Sequence, residues 1–520
     1  MRAPAATRDR VTLASKEQPA PPVLLAAGSS IPGLPYYDAR RTRPPPQTNF
    51  MTTPRSDTRL ASDRQVRDLP EAPRDLWRIV GPGIVAAGVG LSSGEFILWP
   101  LIASQVGLIF LWGALLGVGT QFFLNMEIER YTLATGETAL SGFNRFWRHW
   151  GLVLAVLVYF ANLWPGWIMS SATMTTFIFG GDPRYIAVGA LLVIGASLTL
   201  APVVYVALER LLFVKVAAVV ILMILAVWLA ITPDSWRALP GGFSTGARIP
   251  SELGFALIMA AAAFAGAGGG QNLCQSNYIR DKGFGMGRYV PRLVSPVTGV
   301  EEAAPTRQTF IFETNAANMA RWLRWWRFAN VEQLITFVLV TLATICLTSM
   351  LAHSTLYGRP NLENSVSFLL QEGRALQTIV GSWFGVLFWA IGAFSLFATS
   401  MGIVDYTSRL AADVLKTTYL RGTTTSESSV YFKLVWGMVG LGVVIILTGF
   451  NQPVVLLVIS ACTGGVIMFL YSFLLIVLNR GALPDAIKPA AWRVATLVWS
   501  TLFFGSLAAL TIWQQMARFS

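Results

Sequence analysis

Histidine, cysteine and charge are scarce in this chain of 520 residues, and each scarcity removes a class of function. His149 and His353 are the two histidines; they stand far apart at the ends of apolar stretches, so no His-Glu-x-x-His metal site can form. Cys274, Cys346 and Cys462 sit singly in apolar segments with neither paired nor metal-ligand spacing, which leaves out a disulfide framework and a zinc site. A Gly-x-Ser-x-Gly elbow and a nucleotide-binding Gly-rich loop are also missing, and no nucleophile–base pair stands out, so neither an enzyme nor a resident cofactor is expected. Charged residues are 13% of the chain and hydrophobic ones 54%, a balance that fits a polytopic membrane protein and not a soluble one. The short alternating strands of an outer-membrane barrel are absent, because the apolar runs reach about 20 residues or more, the length of a bilayer-spanning helix.

The net charge of +12 suggests a nucleic-acid partner only until the basic residues are located. Thirteen of the 39, from Arg2 to Arg78, precede the first apolar stretch. With the N-terminus cytoplasmic, nineteen others fall in inner connections and six in outer ones, the asymmetry the positive-inside rule requires. The basicity therefore reports topology in an inner or plasma membrane, with the lipid bilayer as partner and no nucleic acid. Residues 1–75, rich in Pro, Arg, Ala, Ser and Thr, read as a disordered cytoplasmic tail, and Met51 is a candidate start within it.

Residues 76–515 read as one transmembrane domain of eleven helices. The apolar stretches run over 79–105, 107–126, 152–179, 185–205, 208–232, 252–279, 328–352, 381–407, 431–449, 453–478 and 492–513. Pro100 and Pro165 should kink their spans. Asp405 and Arg409 are spaced i,i+4 for a helical ion pair, and Glu127 and Glu129 lie at the cytoplasmic end of the second span beside Arg130, where water or that arginine can satisfy them. Arginines alternate with tryptophans from Ala320 to Arg327, as in an amphipathic segment lying at the membrane interface. Val366 to Leu370 reads as a short helix over the outer face.

Two of these stretches are interrupted where lipid tolerates polarity least. The first carries Ser92, Ser93, Gly94 and Glu95 at its midpoint, and a charge there costs roughly 2.5–3.5 kcal/mol unless the bundle offsets it. The sixth is apolar up to Phe264, then loses its side chains through Gly266, Gly268, Gly269 and Gly270, and continues in amides: Gln271, Asn272, Gln275 and Asn277. Each glycine costs a helix about 1 kcal/mol relative to Ala, so three in succession predict unwinding. Close helix packing explains the glycines but has no need of the amides. Each break is followed by four apolar spans, with one span left over. That is the pattern of an inverted repeat of 5+5 helices plus an eleventh, whose site lies at the membrane midplane between broken helices 1 and 6. Glu95 is expected to be the only full charge in that site, which favours a small cationic substrate or a proton over an anion.

Gly81-Pro82-Gly83 before the first break, Thr135-Gly136-Glu137 after the second span, Gln271-Asn272-Leu273 in the sixth, and Leu478 to Pro484 with Lys488-Pro489 near the end together resemble the Nramp family of divalent-metal transporters. The resemblance covers roughly residues 76–515 and implies a LeuT-like fold that moves manganese, iron and related ions, usually with protons. The family's Asp-Pro-Gly-Asn motif is here Ser92, Ser93, Gly94, Glu95, and its Met-Pro-His-Asn motif is Gly269, Gly270, Gln271, Asn272. The thioether that favours softer metals and the histidine linked to proton movement are both replaced. Oxygen-only ligation by Glu95, Gln271 and Asn272 suits a harder divalent cation such as Mg²⁺ or Mn²⁺. The alternative is symport of a small organic cation or amino acid, with the glycines making room and Glu95 binding an ammonium. Candidate substrate-binding residues are Ser92, Ser93, Gly94, Glu95, Gly268, Gly269, Gly270, Gln271, Asn272 and Gln275.

Overall fold

The computed structural model describes residues 64–73, 88–91, 94–201, 204–244, 249–290, 309–359, 365–449 and 452–516. Most of the tail, including Met51, lies outside them, as do Ser92, Ser93 and Gly81 to Gly83. Eight helices among the described residues are long and apolar enough to cross a membrane. The remaining expected spans are the first, the second and the sixth, which the chain builds in pieces or with polar faces.

The helices that position the site are α1 (Trp99–Val106), preceded by a π-helical turn over Gly94–Leu98, and α2 (Leu111–Thr135). The third span divides into α3 (Trp150–Asn162) and α4 (Gly166–Phe179). Pro165 ends the first piece as expected, since a proline offers no N–H to the ladder. Next come α5 (Pro183–Leu200), α6 (Val204–Leu229), and the two halves of the sixth span, α7 (Phe255–Ala263) and α8 (Gly270–Lys282). Helix α9 (Ala316–Gln333) runs through a π-helical turn, Leu334–Leu339, into α10 (Val340–Thr355). Then follow α11 (Ser367–Ile379), α12 (Ser382–Val414), α13 (Glu427–Leu447), α14 (Pro453–Ala482) and α15 (Ala491–Met516). A parallel strand pair, with Arg64 against Thr309 and Val66 against Ile311, is the one β element among the described residues.

The sequence expectations meet this architecture unevenly. The short outer helix exists and is longer than its apolar core suggested: α11 packs on α12, and Trp389 Nε1 donates to Leu369 O at 2.9 Å. The Arg/Trp segment is helical, but its tryptophans do not face lipid. Trp322 and Trp325 are buried, Trp325 Nε1 donates to Pro70 O at 2.7 Å, and the Trp326 ring carries the guanidinium of Arg130 at 4.0 Å. The aromatic face is satisfied by protein, and of the arginines in the segment Arg324 and Arg327 are exposed, together with Leu323. Asp405 pairs with Arg409 at 2.9 Å as the spacing implied, and Arg409 also pairs with Asp281, tying the end of α8 to α12. Arg280 extends the tie to Asp413 and Glu427, each at 3.0 Å.

Candidate functional site between the two helix breaks

The sixth break is explicit in the backbone. After α7 ends at Ala263, Gly266, Gly268 and Gly269 take φ values of +133°, +71° and +84°, a region other residues rarely enter, and α8 restarts at Gly270. A Cβ on Gly94 would stand 2.0 Å from the carbonyl oxygen of Phe264, and one on Gly90 2.4 Å from that of Gly266, both too close to exist. The broken first helix therefore lies backbone to backbone against the sixth break. From the other side α14 approaches as closely, for a Cβ on Gly464 would stand 2.5 Å from Gly268 O. The glycines serve close approach as well as unwinding.

Unwound backbone buried from water leaves peptide groups to be satisfied, and each one left over costs several kcal/mol in hydrocarbon. Gln121, fully buried on α2, meets this need at the sixth break. Its Nε2 lies 3.2, 2.9 and 3.2 Å from the carbonyl oxygens of Ala262, Ala263 and Ala265, and its Oε1 accepts from Ala267 N at 2.8 Å. At the restart, Asn272 Oδ1 accepts from Gly269 N at 2.8 Å, a cap on α8. Its Nδ2 donates to Asn125 Oδ1 at 2.6 Å. Both ends of the Asn272 amide are thus engaged within the fold.

At the first break the carbonyls are met from two other helices. Ser395 and Thr399, one turn apart on α12, donate to Leu91 O at 2.9 Å and Val89 O at 3.1 Å. The third donor is Lys215 of α6, completely buried, whose Nζ stands 2.5 Å from Gly88 O and 2.5 Å from Thr399 Oγ1. Lys215 also lies within electrostatic reach of Glu95, which is itself completely buried. The expectation that Glu95 is the only full charge here is therefore wrong. Lys215 belongs to neither the tail nor any loop, and an ammonium among apolar neighbours passes in sequence for a snorkelling side chain. It was missed for that reason, although a lone lysine inside a 26-residue apolar helix is itself a signal.

The other predicted residues separate into two groups. Gln271 is fully buried, and neither its Nε2 nor its Oε1 has a hydrogen-bond partner among the described residues. Such an amide is open to a ligand. Gln275 turns toward α2, where its Nε2 donates to Glu129 Oε2 at 3.3 Å. Glu129 is thus not settled by Arg130. That arginine pairs with Glu127 at 2.8 Å, and Arg493 adds a second bond to Glu127 at 3.2 Å. No group of three or more His, Cys, Asp or Glu side chains able to hold a metal occurs among the described residues.

These features define a multi-pass helical membrane protein of LeuT-like fold, with two broken helices facing each other. Solved structures agree on the fold. Two mutant forms of a manganese transporter from Eremococcus coleocola superpose with TM-scores of 0.63 and 0.62, each at 12% identity, covering 88% of this chain and 92% of that one. A third structure of that transporter, in complex with an aromatic bis-isothiourea substituted compound, gives 0.58 at 13% identity over the same shares. No family model matches the sequence, and no curated protein matches it.

Proposed function

We propose that the chain is a secondary transporter working by alternating access, binding a small polar solute where the two breaks meet. The observation that carries this reading is the Gln271 amide, with an unpartnered donor and acceptor buried at the start of α8. A carboxylate in that membrane region, Glu95, suits an ammonium, and the Lys215 ammonium within its field brings the net charge of the break toward zero. A divalent cation would gain little there, whereas an amino acid or amide-bearing amine would complete Gln271 and pair with Glu95. Of the two substrates left open by the sequence, this geometry favours the organic one.

The second reading, an Nramp-like carrier of Mn²⁺ or Mg²⁺, is supported by the fold shared with a manganese transporter and by the oxygen donors of Glu95, Gln271 and Asn272. It requires Asn272 to leave its cap. In both readings the arginine-rich connections face the cytoplasm and a proton is a candidate coupling ion. Uptake into proteoliposomes of labelled amino acids and of ⁵⁴Mn²⁺, for the wild type and Glu95→Gln, separates the readings. Amino-acid accumulation that falls at least tenfold in Glu95→Gln is expected. Manganese uptake without any organic solute would reverse the order, and equal uptake by wild type and variant would end the role of Glu95.

A further inference from the structure

Part of the tail expected to be disordered is docked. Residues 64–66 pair in parallel with 309–311, and Arg67 N donates to Ile311 O at 3.0 Å. The segment then crosses a short helical turn, Gly285–Tyr289, where Tyr289 Oη donates to Asp68 O at 3.0 Å. It ends against α9. Leu69 is fully buried, its N–H donates to Asn318 Oδ1 at 3.1 Å, its carbonyl accepts from Arg321 Nη1 at 3.2 Å, and the Trp325 indole holds Pro70 O. Asn318 is set for this role, because its own N–H bonds to Asn315 Oδ1 at 2.9 Å and its Nδ2 to Glu313 O at 3.0 Å, which fixes its oxygen on Leu69 N. A strand edge, one apolar anchor and fixed polar groups that meet backbone make a groove for an extended peptide.

The groove is joined to the sixth span. Gly283 ends α8 at φ +76°, Phe284 N returns to Ile279 O at 3.0 Å, and a Cβ on Gly287 would stand 2.9 Å from Arg280 Cα, so the turn is folded tightly back on α8. The segment is joined to the first. Ile79, where that span begins, lies six residues beyond Pro73, and six residues reach at most about 20 Å. While docked, the segment keeps the half of the first span before the break within that reach of the turn that closes α8. We propose that residues 64–73 are a latch: bound in the groove they hold the solute site closed on the α8 side, and their release lets the two half-spans part. The opening rests on the transport reading; the docking does not. Little has to break for release. Residues 65–68 are exposed, and within 65–73 Leu69 is the one fully buried side chain, the profile of a segment that opens locally at a fraction of the cost of unfolding the bundle.

The test is alkylation of Cys274 by N-ethylmaleimide in the full detergent-solubilised chain, followed site by site by mass spectrometry. Cys274 is fully buried on α8, while Cys462, whose Sγ stands 3.5 Å from Ala256 O of α7 beyond the break, reports general loosening. Leu69→Asp should label at Cys274 at least tenfold faster than wild type with Cys462 unchanged. Trp325→Phe, which loses the bond to Pro70 O, should label severalfold faster and serves where Leu69→Asp fails to fold. Leu69→Met, which keeps the apolar volume, should label as wild type. Excess peptide of residues 64–73 should restore slow labelling to Leu69→Asp, and the same peptide carrying Leu69→Asp should not. Cys274 labelling that stays at the wild-type rate in both groove variants, rises together with Cys462, or ignores the peptide overturns the inference. Solute uptake, measured separately, decides the transport reading whichever way the labelling falls.

Discussion

Replacing Gln121 by Leu isolates the contribution of one side chain to keeping the sixth helix open. The amide has two N–H hydrogens for three nearby carbonyls, so it satisfies at most two at once, and its oxygen takes the Ala267 N–H. Leucine has nearly the same volume and no polar atoms, so about three backbone groups lose their partner in a region without water. At about 1–3 kcal/mol for each buried group left unmet, reduced because polar contacts inside membrane bundles measure weaker than expected, the loss is roughly 2–5 kcal/mol. For a chain of this size that corresponds to a fall in unfolding temperature on the order of 5 °C. The three cysteines make a thiol-reactive dye a suitable reporter in detergent, since Cys274 is buried in α8, just past the break. Gln121→Glu sharpens the test. A protonated carboxyl can donate one bond and accept another, while an ionised one faces carbonyl oxygens, so this variant should recover stability as pH falls and Gln121→Leu should not. If Gln121→Leu unfolds at the wild-type temperature, or if both variants show the same pH dependence, the break is held open by something other than this amide.

Other outcomes follow from the same packing. Gly94→Ala forces a methyl group into the Phe264 carbonyl, a backbone atom that cannot rotate away; a loss of about 1–3 kcal/mol and of uptake is expected, while Gly189→Ala, with open space around it, should behave as wild type in the same thermal melt. Lys215→Met removes the donor to Gly88 O and uncovers Glu95, so binding of an organic dication at the break, followed by calorimetry, should tighten severalfold as the site becomes net negative; unchanged affinity would mean the two charges do not share a field. Glu372 on α11, outside the spans, has its carboxyl pushed up to about 8 by burial. Because the folded state then holds a proton that the unfolded chain releases near pH 4.5, Glu372 favours folding at acid pH and that contribution is lost as pH rises from about 4.5 through 8. Unfolding temperatures measured across that window should fall less steeply in Glu372→Gln, and parallel profiles would show that Glu372 does not titrate there.

The sixth break was legible because it is made of residues whose effect is local. Glycines that allow positive φ unwind a helix whatever surrounds them, and amides in a membrane span require partners or a ligand. The partners themselves were not legible. Gln121 is a single amide in an otherwise ordinary second span, and nothing in its neighbours says that Ala262 to Ala267 will lie opposite it, because that pairing is fixed by a sequence separation of more than 140 residues. Glu129 was misread for a related reason. Proximity in sequence placed Arg130 beside it, yet consecutive residues on a helix point about 100° apart, so Arg130 faces Glu127 and the α15 side while Glu129 faces α8.

The same geometry explains why the charges inside this bundle sort as they do. A buried charge is tolerated where another group meets it, and the groups that meet Glu95, Glu127 and Glu129 come from different helices. Glu127 receives two guanidinium groups and the Asn479 amide, bonds that hold α2 against α14 and α15. Glu95 is answered by a lysine that also holds the opened first helix against α12. Glu129 is met by the amide N–H of Gln275 on α8 and by the field of a second acid, Glu332. Of these three arrangements the first closes on itself and the second does so through the backbone.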